Sequence, residues 1–173
     1  MAWHTARLIG RRIPDANVAE YVDDAIVTHS MRELLAGARS IVTGMPGAYT
    51  PVCTMQHVPN LIANAERFAA SGFTGIYCLV TSDPFSLAAW ARTVDPQHKV
   101  RFLSDGNLDF CGALGLISNE RDLFMGRRSC RYTLVTEGDV MRAVRVEESV
   151  LDFHCTRAEL AIDDIGPVTM PGF

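Results

Sequence analysis

The stretch Pro46-Gly47-Ala48-Tyr49-Thr50-Pro51-Val52-Cys53 stands between two segments of different periodicity. Before it, Ser40 to Gly44 is a short run that reads as a strand. After it, from Thr54 onward, Val58, Leu61, Ile62, Ala65, Phe68 and Ala69 recur at helical spacing until Gly72. Two prolines and a glycine interrupt regular structure between them, so the octet is a loop that delivers Cys53 to the start of a helix. The first N–H groups and the positive dipole end of a helix stabilise negative charge, and a thiol reacts as its anion. Thr50, three residues earlier, adds a hydroxyl able to donate to or accept from a small ligand.

Outward from this loop the chain alternates strands with helices. Thr74 to Thr81 reads as a buried strand, and Asp83-Pro84 as an N-cap with proline at the first helical position of a helix running through Trp90. Lys99 to Leu103 reads as a third strand, and Asn107 to Leu114 as a short helix after the Ser104-Asp105-Gly106 turn. Upstream, Ser30-Met31-Arg32-Glu33 is a capping box for a short helix through Leu35 that Gly37 ends. Downstream, Arg131 to Thr136 and Val140 to Val146 flank Glu137-Gly138-Asp139 as a hairpin, and Thr156 to Ile162 reads as a last helix. The expectation is an α/β fold, a mixed central sheet flanked by helices with a C-terminal antiparallel hairpin, and one domain over residues 1–173.

Composition narrows the function classes. With 173 residues, 48% hydrophobic and 21% charged, the chain suits a globular domain, and its net charge of −4 supplies no basic field for nucleic acid. The longest apolar run, Phe73 to Val80, is far too short to span a membrane. His4, Arg7, Arg11 and Arg12 precede any secretory h-region, so the cytoplasm is expected, with import into an organelle, hinted at by the arginines, as the alternative. Five cysteines, at 53, 78, 111, 130 and 155, form no C-x-x-C, and no nucleotide-binding glycine motif or G-x-S-x-G is present. Neither a metal nor an organic cofactor is expected, and the chemistry points to cysteine.

The octet resembles the P-x-x-x-[TS]-x-x-C loop of the peroxiredoxins, closest to their type-5 (type II, atypical two-cysteine) branch. The resemblance continues through Thr54 to Pro59, Thr81-Ser82-Asp83-Pro84-Phe85 with Trp90, Asp105-Gly106-Asn107, Ala113-Leu114-Gly115-Leu116 and Arg128-Ser129-Cys130-Arg131-Tyr132, and extends from about Gly10 to Glu159. It implies a thioredoxin-like fold, a homodimer and reduction of hydrogen peroxide or organic hydroperoxides. By the same resemblance Cys53 is the peroxidatic nucleophile, Pro46 shields the pocket, Thr50 hydrogen-bonds the peroxide, and Arg131 holds the thiolate and the developing charge.

Turnover also needs a thiol to condense with the oxidised cysteine. Cys155 lies eight residues after Glu147, as the resolving cysteine does in animal type-5 enzymes, although Asp152-Phe153-His154 lacks their glycine-rich context. Cys78 follows Cys53 by 25 residues, as in plant type II enzymes, but on a strand that looks buried. The third option is an external thiol: thioredoxin, glutaredoxin or glutathione. Cys111 and Cys130 read as structural. His57, four residues after Cys53, raises a Cys–His hydrolase as one alternative, with packing or hydrogen bonding beneath the loop as its expected job. A redox sensor or holdase is the other alternative. The Asp83-Pro84-Phe85 loop, with the Tyr49 segment, is the expected dimer contact.

Overall fold

Side chains alternate along a strand, so the run Arg39–Met45 sends Ile41 and Met45 to one side of the sheet and Val42 to the other. Both sides are covered. The computed structural model describes residues 5–164. In chain order these form β1 (Asn17–Val22), β2 (Ala25–Ser30), α1 (Met31–Leu35), β3 (Arg39–Met45) and a π-turn over Cys53–His57, which continues into α2 (Val58–Ala63). Then come α3 (Ala65–Ala70), β4 (Gly75–Val80), α4 (Pro84–Val94), β5 (Arg101–Ser104), α5 (Asp109–Leu114), β6 (Ile117–Glu120) and β7 (Gly126–Ser129). The hairpin β8 (Tyr132–Glu137) and β9 (Val140–Val146) precedes α6 (Ala158–Asp163).

The main sheet has seven strands in the order β2-β1-β5-β4-β3-β8-β9. Strands β3, β4 and β5 are parallel; β8 returns antiparallel to β3, and β1 antiparallel to β5. On one face, α1 and α5 supply Met31, Leu35, Phe110 and Leu114 against Val42, Leu79, Leu103 and Leu134. On the other, the π-turn, α2, α3, α4 and α6 bring Cys53, Leu61, Phe68, Trp90 and Ala161 onto Ile41, Met45, Cys78, Val80 and Val135. The expected mixed sheet and C-terminal hairpin are present, and the two predicted caps form: Ser30 Oγ accepts from Glu33 N at 3.4 Å and Asp83 Oδ1 from Ser86 N at 2.9 Å.

Several expectations are corrected. The helix predicted as continuous from Thr54 to Ala69 is interrupted at Asn64, whose backbone (φ −100°, ψ 4°) leaves the helical region while its Nδ2 donates to Asn60 O at 2.9 Å and to Glu159 Oε1 at 3.0 Å. Two hairpins went unread. In β1–β2 the turn is Asp23-Asp24, both at positive φ, in place of a glycine signal, and Ile26 and Val27 of the edge strand are exposed, which removes the apolar–polar alternation. In β6–β7 the sequences Ile117-Ser118-Asn119-Glu120 and Gly126-Arg127-Arg128-Ser129 are mostly polar because the pair stands off the main sheet.

Where β3 meets β8, Gly44 pairs with Tyr132, and a Cβ at position 44 would lie 2.0 Å from the fully buried Tyr132 ring. Gly44→Ala is expected to destabilise the fold by about 1–3 kcal/mol, as overpacking does, measured as a lower urea midpoint at unchanged m-value.

Candidate active site

The loop after β3 is held from three sides. Ala48 N donates to Ser82 Oγ at 3.0 Å, and Thr50 Oγ1 donates to Gly47 O at 2.9 Å. Arg128 Nη1 donates to Thr81 O at 2.7 Å and Pro46 O at 3.3 Å, while its Nε bonds Met125 O, tying the β6–β7 hairpin to the loop. Thr54 N then donates to Thr50 O at 3.0 Å, and Trp90 Nε1 to Thr54 Oγ1 at 3.1 Å, which fixes the first helical turn against α4. Cys53 lies in that turn, as the loop-to-helix reading required. The turn is wider than α-helical, since Val58 N bonds Cys53 O five residues back.

Cys53 is fully buried, and its sulfur meets Arg131, whose Nη1 and Nη2 each lie 3.4 Å away. Arg131 sits between β7 and β8 and is itself 1% exposed. Nη2 also donates to Val150 O at 2.7 Å, and Nη1 lies 3.2 Å from His57 Nδ1. Pro46, Thr50 and Arg131 line one cavity of ≈ 280 Å³, with Pro51, Val52, Leu123, Met125, Val150 and Leu151 as its apolar walls. The four residues singled out in the sequence, Pro46, Thr50, Cys53 and Arg131, therefore converge. The Val150 carbonyl was missed, and nothing in the sequence marks it, because any residue supplies a carbonyl.

His57 is buried against the Phe153 ring, 4.9 Å between centroids. Burial first, and then the Arg131 cation, push its pKa well below the ordinary histidine value. The hydrolase alternative fails on geometry: the ring's Nδ1 faces Arg131, and among the described residues the only hydrogen-bond partners of the Cys53 sulfur are the two Arg131 nitrogens.

All five cysteines are free. Cys78 shares the core beneath Cys53, 3.5 Å from Met45 Sδ, and burial pushes its pKa far up. Cys155 is half-buried, donates to Val146 O at 3.4 Å, and is pushed up to about 11 by burial and by Glu147. Cys111 and Cys130 pack on the opposite face of the sheet, as expected of structural residues.

Residues 8–160 match the Redoxin family. Peroxiredoxin-2B of Arabidopsis thaliana is 34% identical over 152 residues, covering 87% of this chain and 93% of its own. The chain belongs to the peroxiredoxins. Its structural neighbours include reduced Prx3 of Vibrio vulnificus in complex with hydrogen peroxide, with TM-score 0.83, 29% identity and coverage of 90% of this chain and 93% of that one. Peroxiredoxin 5 of Alvinella pompejana superposes with TM-score 0.80 at 29% identity, covering 91% and 96%. Within the thioredoxin-like superfamily this peroxiredoxin is of the type II, peroxiredoxin-5-like kind, and as such it is a thiol-dependent peroxidase. The sensor or holdase alternative is not favoured. No described helix is long and apolar enough to cross a membrane.

The peroxiredoxin's segment after β9 is organised by one buried carboxylate. Glu147 Oε1 accepts from His154 N at 2.7 Å, Thr156 N at 2.9 Å and Thr156 Oγ1 at 2.8 Å, while Glu147 N donates to Arg131 O. Burial alone raises a carboxyl pKa, but these donors outweigh it and hold Glu147 below the usual range. A depressed folded value gives stability that is present above the unfolded pKa of about 4.3 and lost as pH falls through the folded value. Glu147→Gln is expected to lower stability by about 1–2 kcal/mol at pH 7, with the gap from the parent closing on acidification, measured by urea unfolding across pH 3–7.

Proposed function

We propose that Cys53 is the peroxidatic cysteine, and the observation that carries this reading is the paired 3.4 Å approach of both Arg131 terminal nitrogens to its buried sulfur. The Cys53 thiolate attacks the terminal oxygen of a hydroperoxide that enters through the apolar cavity. An S–O bond forms and the O–O bond breaks; the sulfur is oxidised to sulfenic acid, and the departing oxygen takes up a proton and leaves as water or an alcohol. Arg131 fixes the sulfur anion and faces the charge that migrates to the leaving oxygen. Thr50 commits its hydroxyl proton to Gly47 O, so it offers a lone pair to the peroxide O–H. Pro46 walls the cavity, limiting water. Such a displacement needs fixed donors and a thiolate, with no place in it for a metal or organic cofactor.

For the return to the thiol we favour an external thiol, supplied by glutathione, glutaredoxin or thioredoxin and attacking the Cys53 sulfenic acid directly. Thiol exchange runs through the thiolate, and both internal candidates, Cys78 and Cys155, are held towards the protonated form. We read the chain as one domain acting as a homodimer, with Tyr49 and Phe85, 58% and 54% exposed, as contact residues. The free cysteines support a reducing compartment, the cytoplasm, although the relatives include mitochondrial and chloroplastic proteins.

Cys53→Ser is expected to abolish rapid peroxide consumption in stopped-flow mixing with hydrogen peroxide and with an alkyl hydroperoxide; retention of the parent rate contradicts the assignment. Intact mass after one equivalent of peroxide is expected to show an added oxygen, or a glutathione adduct when glutathione is present. An internal disulfide in the parent that disappears in Cys155→Ser or Cys78→Ser assigns that residue as the resolving partner instead.

A further inference from the structure

Arg131 has four terminal N–H bonds, and each has a destination. Two converge on Cys53 Sγ; of the outer two, one meets Val150 O at 2.7 Å and the other His57 Nδ1 at 3.2 Å. A planar guanidinium held along both outer edges cannot turn in its own plane, so its inner edge stays aimed at the sulfur. The edge contacts thus fix the geometry on which the proposed chemistry depends, and one of them belongs to a side chain that chemistry leaves unused. We infer that His57 is a positioning residue: a neutral imidazole whose Nδ1 accepts from Arg131 and keeps the guanidinium in register with Cys53 Sγ.

The assignment follows from donor and acceptor counting. A guanidinium only donates, so Nδ1 must carry the lone pair and the ring proton must lie on Nε2. Nε2 is buried with no partner among the described residues, so the one hydrogen bond that orients the ring is the one at Nδ1. The charged group facing the ring is Arg131; the apolar Phe153 covers it from the segment after β9, and Cys53, on its own turn, meets the same guanidinium. A proton on Nδ1 would set two cations together in a buried site and remove the acceptor at once. The spacing of four residues between Cys53 and His57 therefore serves the thiol indirectly, by placing the ring beside the thiol's own partner.

The inference rests on the peroxidatic reading of Cys53 only in its peroxide measurement. His57→Asn keeps an acceptor oxygen where Nδ1 lies, whereas His57→Leu keeps apolar bulk and removes the acceptor. Two rates are to be measured at Cys53: single-turnover reaction with hydrogen peroxide, and alkylation by iodoacetamide resolved by peptide mass. The leucine variant is expected to be slower by about tenfold or more with both reagents, the effect of losing one hydrogen bond to a charged group, and the asparagine variant to stay within about threefold of the parent. A packing role predicts the reverse order. A leucine variant as fast as the parent, or an asparagine variant as slow as leucine, overturns the inference. Imidazole ¹⁵N NMR of the reduced parent tests it without any variant: the Nε2–H tautomer is expected to persist from pH 8 to pH 5, and a protonated Nδ1 in that range overturns it. A parent that reacts with iodoacetamide but not with peroxide fails the peroxidase reading alone.

Discussion

The site depends on a buried cation that has no carboxylate partner among the described residues. Arg131 is 1% exposed, and its hydrogen bonds among the described residues go to a sulfur, a ring nitrogen and a backbone carbonyl. An uncompensated charge in a protein interior costs several kcal/mol. The two neutral acceptors recover part of that cost, and in the proposed mechanism a Cys53 thiolate supplies the negative charge that completes the balance. In the proposed mechanism, burial of Arg131 and activation of Cys53 are the same electrostatic arrangement.

The fold serves that arrangement from several directions. The sheet brings Tyr132, next to Arg131, alongside Gly44 at the end of β3, so the arginine and the loop bearing Cys53 are neighbours by strand pairing. Arg128, three residues before Arg131, clasps the carbonyls of Pro46 and Thr81 and prevents that loop from drifting. Glu147 gathers the segment that supplies Val150 O above the guanidinium and Phe153 against His57.

What the sequence revealed follows a physical division. Prolines around Thr50, the cap at Asp83 and the β-branched hairpin strands are local signals, and each produced its element. The octet ending at Cys53 and the arginine at 131 were legible through resemblance to the family, and the structure brings them together. Elements whose stability comes from tertiary context were not legible: the Asp23-Asp24 turn, the polar β6–β7 pair, and the break at Asn64 that Glu159 of the distant α6 helps hold. Val150 was invisible for a simpler reason, since its contribution is a carbonyl. The five cysteines are told apart by their partners and not by burial: among the described residues, Cys53 alone has an arginine hydrogen-bonded to its sulfur.

The most direct test of the account is the rate at which reduced Arg131→Met reacts with hydrogen peroxide, followed by stopped flow on a variant shown to be folded by circular dichroism. Loss of two charge-assisted contacts to the sulfur is expected to slow the reaction by about a hundredfold or more. A rate within about threefold of the parent, in a folded chain, contradicts the claim that the buried guanidinium activates Cys53.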